Sequence, residues 1–299
     1  MLDICLLGCG GVMPLPERAL TSLYVQENGR AILVDCGEGT QTAIRRAHLK
    51  FSKIGAILFT HFHADHISGL PGLLLSFGLE GRTEPLHMYG PSGLERTVRS
   101  LCVIAPELPF EIVFHECKAS EAVTVTVGGL SVDIFPVDHD MPCLGYRFTL
   151  ARQPKFDPVR AAEKGIPVTL WGKLQSGEAV GGFLPSDVLS EARRGISVLY
   201  ATDTRPVSYL DTLGKGVDLM ILEGMYGDEE KWDSARKKHH MMMQEAAEIA
   251  KRAGAEALWL THFSPYTDDP DRYLDILQTI FPNTVMGKDP LFVTLSYRD

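Results

Sequence analysis

The sequence lacks the marks of a secreted or membrane-bound protein. It has no apolar run of about 18 residues, and its N-terminus, Met1–Cys5, has an early aspartate and no basic stretch. It therefore predicts neither a membrane-spanning helix nor a signal peptide. There is no Cys-x-x-Cys motif, and several of the scattered cysteines lie in apolar, strand-like runs. We expect six reduced, buried thiols and a cytoplasmic location. The cysteines are Cys5, Cys9, Cys36, Cys102, Cys117 and Cys143.

Basic residues are fewer than acidic ones. The 29 lysines and arginines against 38 aspartates and glutamates give a net charge of −9. This argues against binding nucleic acid through overall positive charge, although a local basic patch is compatible with it. Apolar residues make up 45% and charged residues 22% of the 299 residues, which excludes a disordered chain and a small disulfide scaffold.

Short apolar runs alternate with helical patterns, which predicts an α/β fold with added hairpins. Turn pairs at Asn28-Gly29 and Gly128-Gly129 indicate the hairpins. The pattern also predicts a helix over Thr40–Leu49, another beginning at Pro91, and a third over Met243–Ala253. The predicted strands are Asp3–Leu7, Ser22–Gln26, Ala31–Asp35, Ile54–Thr60, the hairpin Val123–Phe135, Ser197–Ala201, Leu219–Leu222, Ala257–Thr261 and Leu291–Ser296.

The segment 152–194 interrupts this dense series of strands. It is rich in proline and glycine and has no long apolar period, so it is either a surface excursion or a binding arm. Because it lies between His139 and Asp203, two candidate ligands described below, we expect it to leave the core and return near the active-site edge.

The string His61-Phe62-His63-Ala64-Asp65-His66 directly follows a predicted strand. Imidazole nitrogen and carboxylate oxygen suit zinc, with manganese or iron as alternatives. Four such groups on one short loop cannot all reach a single ion with good geometry. The string therefore predicts two ions about 3.5–4 Å apart.

Two ions need further ligands, and three residues are placed to supply them. His139, Asp203 and His262 each lie just past the end of a predicted buried strand. Ligand sites in α/β sheets gather at the carboxyl ends of strands. We therefore expect these residues to meet the His61–His66 string.

The string and the three later ligands, in this order, resemble the metallo-β-lactamase superfamily. The resemblance covers nearly the whole chain and is closest to the ribonuclease Z family, endonucleases that trim the 3′ end of precursor tRNA. Further matching segments are Leu7–Gly11, Asp35–Gln41, Gly69–Leu73, Tyr89–Pro91, Gly145–Arg147 and Asp203–Arg205. The resemblance implies a four-layer αβ/βα sandwich spanning residues 1–299 as one domain, with 152–194 as an inserted exosite-like arm.

The resemblance also implies roles for individual residues. One ion would be bound by His61, His63 and His139, the other by Asp65, His66 and His262, with Asp203 bridging them. Asp65 would also take a proton from water. His240, paired with Glu223, would protonate the leaving oxygen, and Arg18 would contact a phosphate. The implied substrate is precursor tRNA, and the implied assembly is a homodimer.

Some segments differ from the family pattern. The substrate loop Pro16–Leu20 has no lysine, Glu223 lacks a preceding histidine, and the arm has seven basic against five acidic residues. These differences favour an alternative, a hydrolase of a small substrate on the same scaffold, such as a cyclic-nucleotide phosphodiesterase, an arylsulfatase-like enzyme or a lactonase. A nucleic-acid-binding or scaffold protein with a dead site is disfavoured, because no metal ligand is missing.

Overall fold

The structure, a computed structural model, describes residues 1–105 and 107–298. Within these residues the chain forms two seven-stranded sheets. With the strands numbered along the chain and bounded as given below, neighbouring strands of the first sheet follow the order β14-β1-β2-β3-β4-β5-β6. Those of the second sheet follow the order β13-β12-β11-β10-β9-β8-β7. The strands of the first sheet are β1 (Leu2–Gly8), β2 (Ser22–Glu27), β3 (Arg30–Val34), β4 (Ile54–Leu58), β5 (Leu86–Pro91), β6 (Ile112–Cys117) and β14 (Leu291–Leu295). Those of the second are β7 (Val123–Val127), β8 (Leu130–Val137), β9 (Cys143–Arg152), β10 (Arg193–Ala201), β11 (Leu219–Glu223), β12 (Leu258–Thr261) and β13 (Thr284–Met286).

Both faces of the central strands are buried, which explains their nearly continuous apolar sequences. In β1, Leu2, Ile4 and Leu6 point into the core between the sheets, whereas Cys5 and Leu7 point to the helices outside the first sheet. The prediction of a four-layer αβ/βα sandwich is therefore confirmed.

The helices form the two outer layers. Four cover the first sheet: α1 (Thr40–Arg46), α2 (Ala64–Ile67), α3 (Leu70–Leu79) and α4 (Leu94–Leu101). Three pack on the second sheet: α7 (Ser208–Thr212), α9 (Met243–Ala253) and α10 (Leu274–Ile280). The remaining helices are α5 (Pro158–Glu163) and α6 (Val168–Gln175) in the arm, and α8 (Trp232–Lys237). No helix among the described residues is both long enough and apolar enough to cross a lipid bilayer.

The expected helix start at Pro91 is wrong. Pro91 is the last residue of β5, and the helix begins three residues later at Leu94. Gly93 precedes it with a φ of 94°, a left-handed conformation that glycine adopts without steric cost. This turn redirects the chain from the sheet onto its outer face.

The arm 152–194 is more ordered than its sequence indicates. It forms α5 and α6 around a small core of its own, and Asp157 caps α5 by accepting hydrogen bonds from Val159 N and Arg160 N. The buried members of this core are Ala161, Ile166, Leu174 and Val188.

The expectation that the arm returns near the active-site edge is wrong. β9 and β10 are antiparallel, and Arg152 pairs with Arg193 at the base of the arm. His139 precedes the start of β9, and Asp203 follows the end of β10. Both residues therefore lie at the opposite end of these strands from the base of the arm. Ten residues of β9 separate the two ends by about 30 Å.

Candidate metal centre

The predicted metal ligands occupy loops at one edge of the sandwich, except Asp65 and His66, which lie in the short helix α2. The His61–His66 string follows β4 of the first sheet, whereas His139, Asp203 and His262 follow β8, β10 and β12 of the second. β8 is antiparallel to β9, and β9 to β10, so β8 and β10 end at the same edge. β10, β11 and β12 are parallel. The two sheets thus bring their ligands together from opposite sides.

The seven residues fall into two groups whose ligand atoms lie within 4.8 Å of one another. The first contains His61, His63, His139 and Asp203, and the second Asp65, His66 and His262. His139 Nε2 is 3.2 Å from His63 Nδ1, and His66 Nε2 is 3.3 Å from His262 Nε2.

Asp203 contacts both groups. Its Oδ1 lies 3.2 Å from His66 Nε2 and 3.1 Å from His262 Nε2. Its Oδ2 lies 3.8 Å from the Nε2 atoms of both His61 and His139. This is the position that a bridging carboxylate needs.

The chemistry of the cluster fits metal ions. Within the described part of the chain, His61 Nε2 is buried without a hydrogen-bond partner, since Asp203 Oδ2, at 3.8 Å, is too far away to bond it. Such orphaned polar atoms are rare unless an ion or water completes them. Burial lowers the pKa of His61 and of His139, which keeps their imidazoles neutral and able to bind a metal.

Two of the predicted ligands have a left-handed backbone, which is uncommon outside glycine. Asp203 has a φ of 52° and His262 a φ of 55°. Strained conformations of this kind concentrate at functional sites, where the surrounding fold holds them. Gly11 lies against His262, and a Cβ at Gly11 would be 2.7 Å from His262 Cε1. Only glycine fits there without displacing the ligand.

Beside the cluster, His240 and Glu223 form the predicted pair. His240 Nδ1 is 3.0 Å from Glu223 Oε2. The Glu223 side chain is fully buried and His240 is 8% exposed, so His240 is not a solvated residue at a helix start. Burial disfavours the charged imidazolium, but the Glu223 carboxylate and its hydrogen bond raise the pKa of His240 to about 9.

Comparison with known proteins agrees with this geometry. Residues 2–149 match the family model described as Anti-Pycsar protein Apyc1, and residues 176–263 match the Beta-lactamase superfamily domain. Ribonuclease Z of Lachnoclostridium phytofermentans is 47% identical over 301 residues, covering 99% of each chain. Ribonuclease Z of Clostridium kluyveri is 45% identical over 303 residues, covering 100% of each. The crystal structure of the short form of human tRNase Z aligns with a TM-score of 0.71 at 25% identity, covering 98% of this chain and 99% of that one.

The chain belongs to the ribonuclease Z family. Its resemblance to that family is therefore confirmed, and with it the metallo-β-lactamase fold.

In this ribonuclease Z family member, Asp65 is held as a carboxylate. Val12 N–H donates to its Oδ2 at 2.7 Å, and His262 Nε2 lies 3.3 Å from the same oxygen. Burial raises the pKa of Asp65, but the hydrogen bond from His262 and the charges of His66 and His262 outweigh it and hold the pKa below its ordinary value.

Arg18, the predicted phosphate contact, has partners within the protein. Its guanidinium donates to Ser264 O at 3.3 Å and to Thr267 O at 3.2 Å, and it lies over the Phe263 ring at 5.6 Å. These bonds fix the turn that follows His262. A phosphate contact by the remaining N–H groups stays a prediction.

Sequence reasoning missed the role of Asp35. Its buried carboxylate accepts hydrogen bonds from Thr60 N at 2.8 Å and Thr60 Oγ1 at 2.9 Å, and it lies 2.9 Å from His66 Nδ1. Burial raises its pKa, while His66 and the Thr60 donors oppose that rise. Because Nδ1 is held by Asp35, Nε2 of His66 is the nitrogen left for a metal. Asp35 follows β3, so the strand-end rule that found the ligands could have found it.

Asp35→Asn should weaken metal binding about 10–100-fold, because the ligand His66 loses its anionic partner. Competition with a chromogenic chelator measures this affinity. Asp133→Asn is the control, since Asp133 bonds to Thr124 and Arg147 in the second sheet. Unchanged affinity in Asp35→Asn would show that Asp35 does not position the ligand.

Proposed function

We propose that this chain is a metal-dependent endoribonuclease that removes the 3′ trailer of precursor tRNA. One observation carries the proposal. A cluster of five imidazoles and two carboxylates, with the Glu223–His240 pair beside it, occurs in a chain 45–47% identical over its full length to ribonucleases Z.

The cluster would hold two zinc ions, with manganese or iron as alternatives. His61, His63 and His139 would bind one ion, Asp65, His66 and His262 the other, and Asp203 both. When bound, the ions supply Lewis acidity that makes water available as a nucleophile at neutral pH and offsets charge on phosphorus.

Two side chains of the protein would transfer the protons of the reaction. Asp65, kept ionised by its neighbours, takes one from the attacking water. His240, which Glu223 keeps protonated, gives one to the leaving 3′ oxygen. The water oxygen becomes bonded to phosphorus and the P–O3′ bond breaks. The tRNA body ends in a 3′-hydroxyl, and the trailer carries a 5′-phosphate.

The zinc-loaded protein should cleave precursor tRNA in preference to a cyclic nucleotide or a small phosphodiester. Elemental analysis should find close to two metal equivalents. His63→Ala should abolish cleavage without unfolding the chain, because the His63 side chain is 38% exposed rather than part of the core. End mapping of the products measures the cleavage site. Efficient turnover of a small substrate with intact precursor would favour the alternative hydrolase.

His240→Ala should slow cleavage of precursor tRNA by about 10²–10⁴-fold, because the poor leaving group needs a proton. The loss should be much smaller on a nitrophenyl phosphodiester, whose leaving oxygen needs none. Rates measured on both substrates test this difference. Equal losses would assign His240 a structural role.

The arm 152–194 would be a clamp for the tRNA body. Lys155, Arg160, Lys164 and Lys173 supply positive charge, but Lys164 is paired with Asp187, and Lys173 is 3.5 Å from Glu178. We therefore expect a moderate contribution to affinity that weakens with salt, since each phosphate contact releases a counterion.

Deleting residues 154–191 and joining the ends with a short Gly/Ser linker should leave small-phosphodiester hydrolysis within about threefold. The deletion removes the whole core of the arm, and Arg152 and Arg193 are already strand partners, so the linker closes a hairpin. Cleavage of precursor tRNA should fall much further, mainly through affinity. KM and kcat measured on both substrates test whether the arm contributes to the binding of precursor tRNA. Equal effects on both would refute the clamp.

We further infer a cytoplasmic homodimer. All six cysteines are free, as a reducing compartment requires. Two neighbouring elements expose an apolar face, made by Leu75 and Leu79 of α3 and by Val103 and Ile104 of the turn after α4. A second copy of the chain would cover this face, since contiguous exposed apolar surface of this kind marks association sites.

Leu79→Asp should convert the dimer to a monomer, because it places a charge in the covered face. Sedimentation equilibrium measures the mass against the 33.0 kDa of one chain. The control is Ile276→Asp, which changes an exposed apolar residue on a different helix, α10. A wild-type monomer, or a Leu79→Asp dimer, would contradict this interface.

A further inference from the structure

The turn directly after the ligand His262 exposes an aromatic ring. Tyr266 lies four residues beyond His262, and 87% of it is exposed to solvent. Large apolar residues exposed singly are common and need no explanation. Tyr266 is different because of what holds it and what lies beside it.

Hydrogen bonds from several directions fix the Tyr266 turn. Ser264 N donates to Met225 O at 3.3 Å, Thr267 N donates to Ser264 O at 3.0 Å, and Tyr266 N donates to Ser264 Oγ at 3.3 Å. Arg18 also donates hydrogen bonds to the carbonyl oxygens of Ser264 and Thr267. Because the backbone of this turn is already fixed, little conformational entropy would be lost when the Tyr266 ring binds a ligand.

The turn lies against the loop that supports Asp65, which belongs to the same ligand group as His262. Phe263 N donates to Cys9 O at 2.8 Å, and Gly11 N donates to Phe263 O at 3.0 Å. The next residue, Val12, donates its N–H to Asp65. Val12 is 59% and Met13 48% exposed. The two loops that hold Asp65 and His262 therefore both present apolar side chains to solvent.

The exposed side chains of Val12, Met13 and Tyr266 are apolar or aromatic, whereas a phosphate-binding surface presents free cations. Arg18, the cation that bonds to this turn, is engaged with carbonyl oxygens. Aromatic rings bind unpaired nucleobases by stacking, whatever the base, because every base has a π-face. A paired base inside a duplex offers no free face to such a ring.

We propose that Tyr266 is a substrate-contact residue whose ring stacks on an unpaired base flanking the scissile phosphodiester, with Val12 and Met13 packing beside it. This contact rests on the proposed endoribonuclease function. It fixes the single-stranded nucleotide next to the metal centre and thereby sets the position of the bond that is cut.

The test compares Tyr266→Ala, Tyr266→Phe and Tyr266→Trp on precursor tRNA. The alanine variant should raise KM about 5- to 100-fold with a smaller change in kcat, and the two aromatic variants should stay near wild type. The same substrates are then prepared with an abasic nucleotide on either side of the cleavage site. On one of these, wild type and Tyr266→Ala should become equal, because the base that the ring contacts is missing.

Phe292→Ala is the matched control, since Phe292 is 55% exposed on β14, the edge strand of the first sheet. It should behave as wild type on every substrate. A wild-type KM in Tyr266→Ala, or a loss that persists on both abasic substrates, would overturn the proposal. If the wild-type enzyme cleaves no precursor at all, the proposed function itself fails and the contact with it.

Discussion

The architecture depends on bringing seven metal-binding groups into one buried space. Five imidazoles and two carboxylates cannot lie there with unsatisfied atoms without a large cost in free energy. The two sheets share these groups: four come from the segment after β4 of the first sheet, and three come from the second sheet. An ion bound there ties one half of the sandwich to the other. Metal binding should therefore stabilise the fold as well as serve the chemistry.

The residues around the cluster form a connected hydrogen-bond network that holds His240 and the loop containing Asp203 in fixed positions relative to each other. Glu223 binds His240 through one carboxylate oxygen and accepts from Thr204 N through the other, so His240 and the loop that contains Asp203 share a partner. Arg205 forms an ion pair with Glu245 and donates to His240 O. A change at Arg205 would thus affect both His240 and the loop that contains Asp203, the residues proposed to donate a proton and to bridge the ions.

The sequence could predict the parts of the site that depend on local pattern. The His61–His66 string is recognisable from its own residues. His139, Asp203 and His262 are recognisable because each follows the apolar run of a buried strand. The strand-end rule could have placed Asp35 at this edge, but no local pattern contains its contact with His66, which lies 31 residues away in the sequence. The base of the arm was misplaced because the sequence analysis predicts no strand over Cys143–Arg152, and this strand, β9, carries the chain away from the metal edge before the arm begins. The helix start at Pro91 was misplaced because proline is also accepted at the end of a strand such as β5.

The arm begins about a strand's length from the metal edge, and this separation limits what the molecule can hold. RNA that touches both the arm and the metal edge of one chain must extend over at least that distance. For a clamp of the kind proposed above, a short oligonucleotide would occupy one place or the other and gain only the affinity of that place. A long, rigid RNA would gain both, because the second contact would form at a high effective concentration once the first is made. The spacing would then select RNA by its length, without contact to any base.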